Sequence, residues 1–574
     1  MVGSMRGKTA HGEATPMQTP TPLEQLLDLA ADLLGLDRRT LPARASGSPF
    51  MTLGGGLGQA MRLQALAGER LELSLDIPQL LGPVPLSDVL ARAVAVPRGA
   101  AVPQGAAVPG GAAPDAVGSG PRELLPGQLA ALTAQQYTGA AAVHRMLSAE
   151  LTGPLDLGAL RAALDALGAR HEGLRTAFGP SPRGPVRRVL DAYALPLVVM
   201  AKVTAGPGED LVSAAHARLA VDVERLAGHP ERPPLAFALT RLEADRHLLT
   251  FVYHEAAVDC WSVSLVWREL LADYGRAVGS RPLDRSGRCG SDAVARRAEG
   301  LDRSGALRAL AAQRIERLRD FPAVVDLTGS GRRPAVFDFR GDRVLFGLGA
   351  GLREAVDATA ARAGVPHAVV LLAAWALTAG RRSGHERLLV GTEMPRRPTA
   401  ELMGAVAPCS ATVPVCCELE GGVDYFLRGV ACAFGEALGY ADLDAVALAR
   451  ELGVDGDRSR PSLTQVAFAA CDELLPETLE AGPLTSRFHH GHLGGTTADA
   501  TLRVLRWGGD PLLSLEFASG VFSRAEAAEL AGELRGCVEA LTGADPQEPV
   551  EDLPAVADGA AVAGRAVASP MSLG

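Results

Sequence analysis

Residues 96–123, VPRGAAVPQGAAVPGGAAPDAVGSGPRE, constrain this chain most, because nothing in them can build a core. The repeated Pro restrains the backbone, Gly and Ala offer little side chain to bury, and GAAVP occurs at Gly99 and again at Gly105. Such a stretch reads as a semi-flexible linker. It divides the 574 residues into a small module over 23–95 and a large one from about Leu124 to Thr542. A chain this long exceeds one ordinary core, so two or three domains are expected. Residues 1–22 are polar and Pro/Thr-containing, which predicts a disordered tail. Residues 552–574, rich in Ala, Gly and Pro, predict a second flexible one.

Apolar residues make up 47% of the chain and charged residues 21%, which is globular composition with material for sizeable cores. A formal charge of −10 argues against nucleic acid or an anionic membrane as the main partner. No apolar run has the length of a membrane span. The first residues, MVGSMRGKTAHGEATPMQTPTP, lack the apolar centre of a signal peptide, so a cytoplasmic location is expected. The eight cysteines show no paired metal spacing and predict buried thiols. FHHGHLGG gathers His489, His490 and His492, but no carboxylate or Cys pattern completes a metal site, and the stretch predicts a polar loop.

In the small module, PLEQLLDLAADLLGLD places Leu23, Leu26, Leu27, Ala30, Leu33 and Leu34 on one helical face and predicts a helix ending near Asp37. FMTLGGGLGQAMRLQALA then resembles the LGGxSLxAxxL motif of carrier proteins, with Leu53, Gly54, Gly55, Ala60 and Leu63 in place. In that family a Ser at the helix start carries the phosphopantetheine arm. Here the position is Leu57, which has no hydroxyl, so the resemblance implies a small all-α carrier-like bundle with no covalently bound cofactor.

The large module alternates strand and helix patterns, as α/β lobes do. Its motifs resemble, in order, those of condensation domains in nonribosomal peptide synthetases. RHEGLRTAF (Arg170 to Phe178) follows RHExLRTxF, and YHEAAVDCWS (Tyr253 to Ser262) lies over HHxxxDGxS. ELMGAVAPCSATVPV lies over IGxFVNTLPL, with Ala411 at the usual Asn. DRSRPSLTQVAF and DATLRV match the late motifs. The resemblance implies an α/β (α+β) fold of two chloramphenicol-acetyltransferase-like lobes, 124–290 and 302–542. Between them would run a tunnel that carrier-tethered donor and acceptor enter from opposite sides.

The resemblance also assigns roles. His254 takes the first signature His and Glu255 the second, which in the family stands at the reacting groups. Asp259 is the structural Asp, with Arg175 as the expected partner; Cys260 replaces the Gly and is expected to narrow the tunnel, and Ser262 keeps the Ser. On a strand, adjacent side chains point to opposite faces, so His254 is expected to pack away from the tunnel that Glu255 faces. An ordinary Glu, with a reference pKa near 4.3, is a weaker base than imidazole. A carboxylate about 4 Å from a developing oxyanion repels it by about 4 kcal/mol at an effective dielectric of about 20.

Two functions follow from the resemblance. One is an assembly-line protein with a degenerate site that engages acyl or peptidyl carrier proteins without making ordinary peptide bonds. The other is an active acyltransferase that takes the phosphopantetheine thioester of a partner carrier, with Glu255 as base or positioning group. A cyclisation-type relative, with DxxxxDxxS, is matched only at Asp259 and Ser262, since His254 holds its first Asp place.

Overall fold

The computed structural model describes residues 20–554 apart from 83, 96–119, 126, 139–142, 183, 207–208, 228–231, 284–289, 329–332 and 472–473. The tails and most of the linker predicted from sequence lie outside the described residues. The small module contains α1 (Pro22–Leu34), α2 (Leu41–Ala45), α3 (Leu57–Leu71), β1 (Leu73–Ser74), α4 (Ile77–Leu80), α5 (Leu86–Ala91) and β2 (Val94–Ala95). Thr21 and Glu24 form a capping box at the start of α1, and Gly35 ends it in the left-handed region at φ 64°, earlier than the Asp37 expected. The module is not purely helical, because Leu73 and Ser74 pair antiparallel with Ala95 and Val94. Leu26, Ala30, Phe50, Leu63 and Leu86 share its core. Gly55 serves that core directly: a Cβ there would stand 2.3 Å from the Phe50 ring.

The first lobe runs through α6 (Gln128–Thr138), β3 (His144–Thr152), α7 (Leu157–Arg170), β4 (Thr176–Ser181), β5 (Gly184–Val189), β6 (Leu197–Met200), α8 (Leu211–Ala227), β7 (Leu235–Arg241), β8 (Arg246–His254), α9 (Cys260–Val278) and α10 (Ser291–Arg303). The second begins with α11 (Ala306–Leu318), β9 (Gly341–Gly347), α12 (Ala350–Ala363), α13 (His367–Ser383), β10 (Arg387–Pro395), α14 (Ala400–Met403) and β11 (Ser410–Glu418). It continues with α15 (Val423–Leu438), α16 (Ala445–Glu451) and β12 (Val466–Ala470); the chain then returns to the first lobe for β13 (Thr478–Ala481) and β14 (Leu484–His490) before β15 (Ala500–Arg506), β16 (Leu512–Ala518) and α17 (Arg524–Gly543) complete the second.

Two six-stranded sheets organise the lobes, in the orders β13-β14-β3-β8-β7-β6 and β11-β10-β12-β15-β16-β9. The first contains β13 and β14, whose residues come late in the chain, so the lobes are not consecutive in sequence as 124–290 and 302–542 would have them. His489 and His490 lie on β14, paired with Ser148 and Leu147 of β3, and this part of FHHGHLGG is strand and not the loop expected. No single helix among the described residues is long and apolar enough to cross a membrane. The helix α13 is buried continuously from Val369 to Gly380 in the second lobe's core.

The small module rests on both lobes. Met61 and Ala65 of α3 pack with Trp261 at the start of α9 and Met403 of α14. The Arg62 guanidinium lies 5.4 Å from the Trp261 ring centre. Phe434 of α15 reaches into the module's own core.

Candidate active site

β8 delivers the signature loop to a cavity of about 1740 Å³ between the lobes. The strand's alternation sorts its last residues: Tyr253 and Glu255 line the cavity, whereas His254 does not. His254 is fully buried, and its Nδ1 accepts a 2.8 Å hydrogen bond from the Ala256 N–H. That leaves the ring proton on Nε2, 3.1 Å from Gln135 Oε1, to which it donates. Its ring meets His144 edge-on at 4.8 Å. Burial, with His144 and Arg145 nearby, pushes its pKa well below the usual value. His254 is therefore a neutral packing residue.

Glu255 sits beside Arg145 of the neighbouring strand, with Oε1 2.8 Å from Nη2. This ion pair occupies one of its oxygens.

Asp259 caps α9 by accepting the Ser262 N–H at 2.7 Å. Its charge partner is Arg397, not the Arg175 expected from sequence. Arg397 Nη2 lies 2.9 and 3.0 Å from the two carboxylate oxygens and is wholly buried. Arg175 instead donates to the backbone carbonyls of Gly168, Leu190 and Asp191, tying β4 to the loop that follows β5. Asp259 also accepts from the Cys409 N–H and the Ser410 hydroxyl, and Ser262 Oγ accepts from Arg397 and the Ala407 N–H. Together these bonds lock the start of α9 in the first lobe to the loop around α14 in the second. His171 is likewise structural: its Nε2 meets Glu269 at 2.9 Å, and Arg170 reaches Glu269 and Asp273.

Cys260 opens α9 and projects toward Glu393 of β10, with Sγ 3.5 Å from Oε2. Hydrogen bonding to the Cys471 thiol and burial raise its pKa well above the usual thiol value, so it is a protonated wall residue and not a thiolate nucleophile. Ala411 pairs with Met394 on β11 and gives the cavity a small apolar wall. Leu57, in the small module, is the first residue of α3, directly after the N-cap Gly56.

Sequence reasoning missed Arg145, Glu393 and Arg397. Arg397 stands 138 positions from Asp259 in sequence, and the adjacent pair Arg396–Arg397 offers two candidates with nothing to separate them. Glu393 is a cavity carboxylate with no ion-pair partner within 4.0 Å among the described residues. Burial raises its pKa, Arg503 opposes that, and Asp259 and Glu255 add to it. Arg503 itself is paired with Glu516 at 2.9 Å. The carboxylates at 255 and 393 thus differ in kind, one paired with Arg145, the other desolvated.

A family model described as the condensation domain matches residues 123–561. Chondramide synthase cmdD of Chondromyces crocatus is 31% identical over 435 residues, 73% of this chain and 11% of that protein. Phosphinothricin tripeptide synthetase PhsC of Streptomyces viridochromogenes is 32% identical over 56% of this chain and 31% of its own length. The chain thus spans under a third of either relative. Among solved structures, the first condensation domain of the calcium-dependent antibiotic synthetase aligns with a TM-score of 0.65 at 20% identity, covering 76% of this chain and 99% of that one. The X-domain from teicoplanin biosynthesis aligns at 0.62 and 25% identity, covering 77% and 99%. In its complex with OxyB the X-domain aligns at 0.59 and 23%, covering 77% and 97%.

Proposed function

The chain belongs to the condensation-domain family of nonribosomal peptide synthetases, and we propose that it engages partner carrier proteins without catalysing ordinary peptide-bond formation. The observation that carries this reading is the Arg145–Glu255 ion pair at the position where the family's reacting His would stand. A carboxylate whose oxygen is engaged by a guanidinium is poorly placed to accept a proton from a substrate amine. The adjacent imidazole offers no substitute, since both its nitrogens are engaged away from the cavity. The small module fits the same reading as a carrier-like unit with Leu57 where the arm-bearing Ser would be. A similar fold, the teicoplanin X-domain, was solved in complex with another protein, OxyB, which is consistent with a docking role for this one. Any thioester would arrive on a partner carrier's phosphopantetheine arm.

A second reading, an active acyltransferase, gains a specific residue from the structure. Burial raises the pKa of Glu393, the direction a carboxylate base needs, and it lines the cavity without an ion-pair partner within 4.0 Å among the described residues. Holding donor and acceptor together can supply much of the rate to thioester aminolysis without a strong base.

The test is reconstitution of the full chain with loaded carriers, following carrier binding by calorimetry and product by mass spectrometry. Binding without amide or ester product is expected from the natural sequence. Product that survives Glu255→Ala and disappears in Glu393→Gln supports the acyltransferase and overturns the docking role. Product lost in Glu255→Ala overturns both assignments made here.

A further inference from the structure

A second, smaller chamber of about 100 Å³ lies against the candidate active site. It shares Cys260, Glu393 and Ser410 with the large cavity, so the two spaces meet at those residues. Its inner walls are mostly apolar, with Val369 and Leu372 from α13 and Ala431 and Phe434 from α15, and one buried hydroxyl, Thr392 Oγ1 of β10, that has no hydrogen-bond partner among the described residues. Its outer wall comes from the small module, through Gly58 in the first turn of α3 and Leu81 after α4. The fit at that wall is close, since a Cβ on Gly58 would stand 3.6 Å from the Trp261 ring.

We propose that this chamber is a binding site for a short aliphatic substituent of the reactant, a branched acyl group of about four or five carbons, with the small module as its outer wall. The inference rests on the reading that the large cavity receives a carrier-borne thioester. Size sets the upper limit: an apolar cavity of about 150 Å³ accepts benzene, so 100 Å³ suits a smaller group. Polarity sets the class, because beyond its threshold the chamber offers hydrocarbon walls and the single Thr392 hydroxyl, too little to replace the hydrogen bonds that a strongly polar substituent makes to water. The threshold itself is polar, with the Cys260 thiol and Glu393 carboxyl, which suits the thioester end of an acyl group whose tail lies inside. This also gives the module a function that needs no phosphopantetheine arm: Leu57 lacks the attachment hydroxyl, yet the helix it begins completes a pocket wall.

The test uses free acyl pantetheines and the full chain. Affinity should rise about fourfold for each methylene placed in the chamber, peak near isovaleryl, and fall by octanoyl. Leu81→Trp, filling the chamber from the module, should shift the optimum to acetyl, and Ala431→Phe should do the same from α15 if the module variant fails to fold. Leu81→Ala should extend the preferred length. Xenon-pressurised crystals should show an atom between Leu81, Leu372 and Phe434. An empty chamber under xenon, or an unchanged length preference in both filled variants, overturns the proposal. Xenon in the chamber with no acyl pantetheine bound anywhere overturns the carrier reading instead.

Discussion

Asp259 and Arg397 are buried together, and each would be an uncompensated charge without the other. Arg397→Met is therefore expected to cost about 3–5 kcal/mol, measured as a shift in urea midpoint. Asp259→Asn should cost less, because an amide oxygen can still cap α9 while the Arg397 charge loses its partner. Equal losses from both would contradict this ordering. The Asp role was legible because a short acidic residue directly before a helical run is a cap signal. Its partner was not, since the contact is made by the fold across two lobes.

Three histidines, His216 buried and His490 and His492 partly buried, give the molecule a pH signature. Burial lowers His216 to about 3, and burial with Arg343 nearby lowers His490 to about 4. His492 is lowered to about 4 mainly by burial. In the unfolded chain each titrates near 6.5, so below that pH the unfolded state binds protons first and folding stability falls until about pH 4. The expected loss approaches about 1 kcal/mol per pH unit for each histidine. Burial alone would raise Glu516, but Arg503 overrides it and holds that carboxylate at about 2, below this window. Denaturant midpoints at pH 7.5 and pH 5 check the slope, and a flat profile contradicts it.

At the scale of elements, strand alternation predicted correctly that Glu255 faces the cavity and His254 does not. The same reasoning applied to FHHGHLGG would have found β14, but the neighbouring glycines masked the short strand. Its hairpin turns through Gly482, which adopts φ 61° and lies against the chain at Gly275, where a Cβ would come within 3.4 Å of the backbone. Gly482→Val is expected to destabilise the protein by about 1–3 kcal/mol, read as a lowered melting temperature. Gly179, with an ordinary φ and no neighbour within 4 Å of a Cβ, is the control, and its Ala variant should melt like the natural protein. The register of β14 against β3 was not readable from sequence, because pairing partners more than 300 positions apart leave no local pattern.

At the scale of the whole molecule, motif order indicated two lobes and a preceding small module, but not how they interlock. The first lobe's sheet takes its β3 neighbour from residues 484–490. A ribosome must therefore add more than 300 residues beyond β3 before β3 acquires that neighbour, leaving an unpaired edge meanwhile. A fragment ending near residue 283 is expected to aggregate through this edge, and a peptide spanning residues 478–490 supplied in trans should keep it soluble, as followed by light scattering. Unaided solubility of the fragment would contradict this. Birth order thus sets a window of exposure for this fold: the lobe made first is completed late, and chaperone demand should track the interval between the two syntheses.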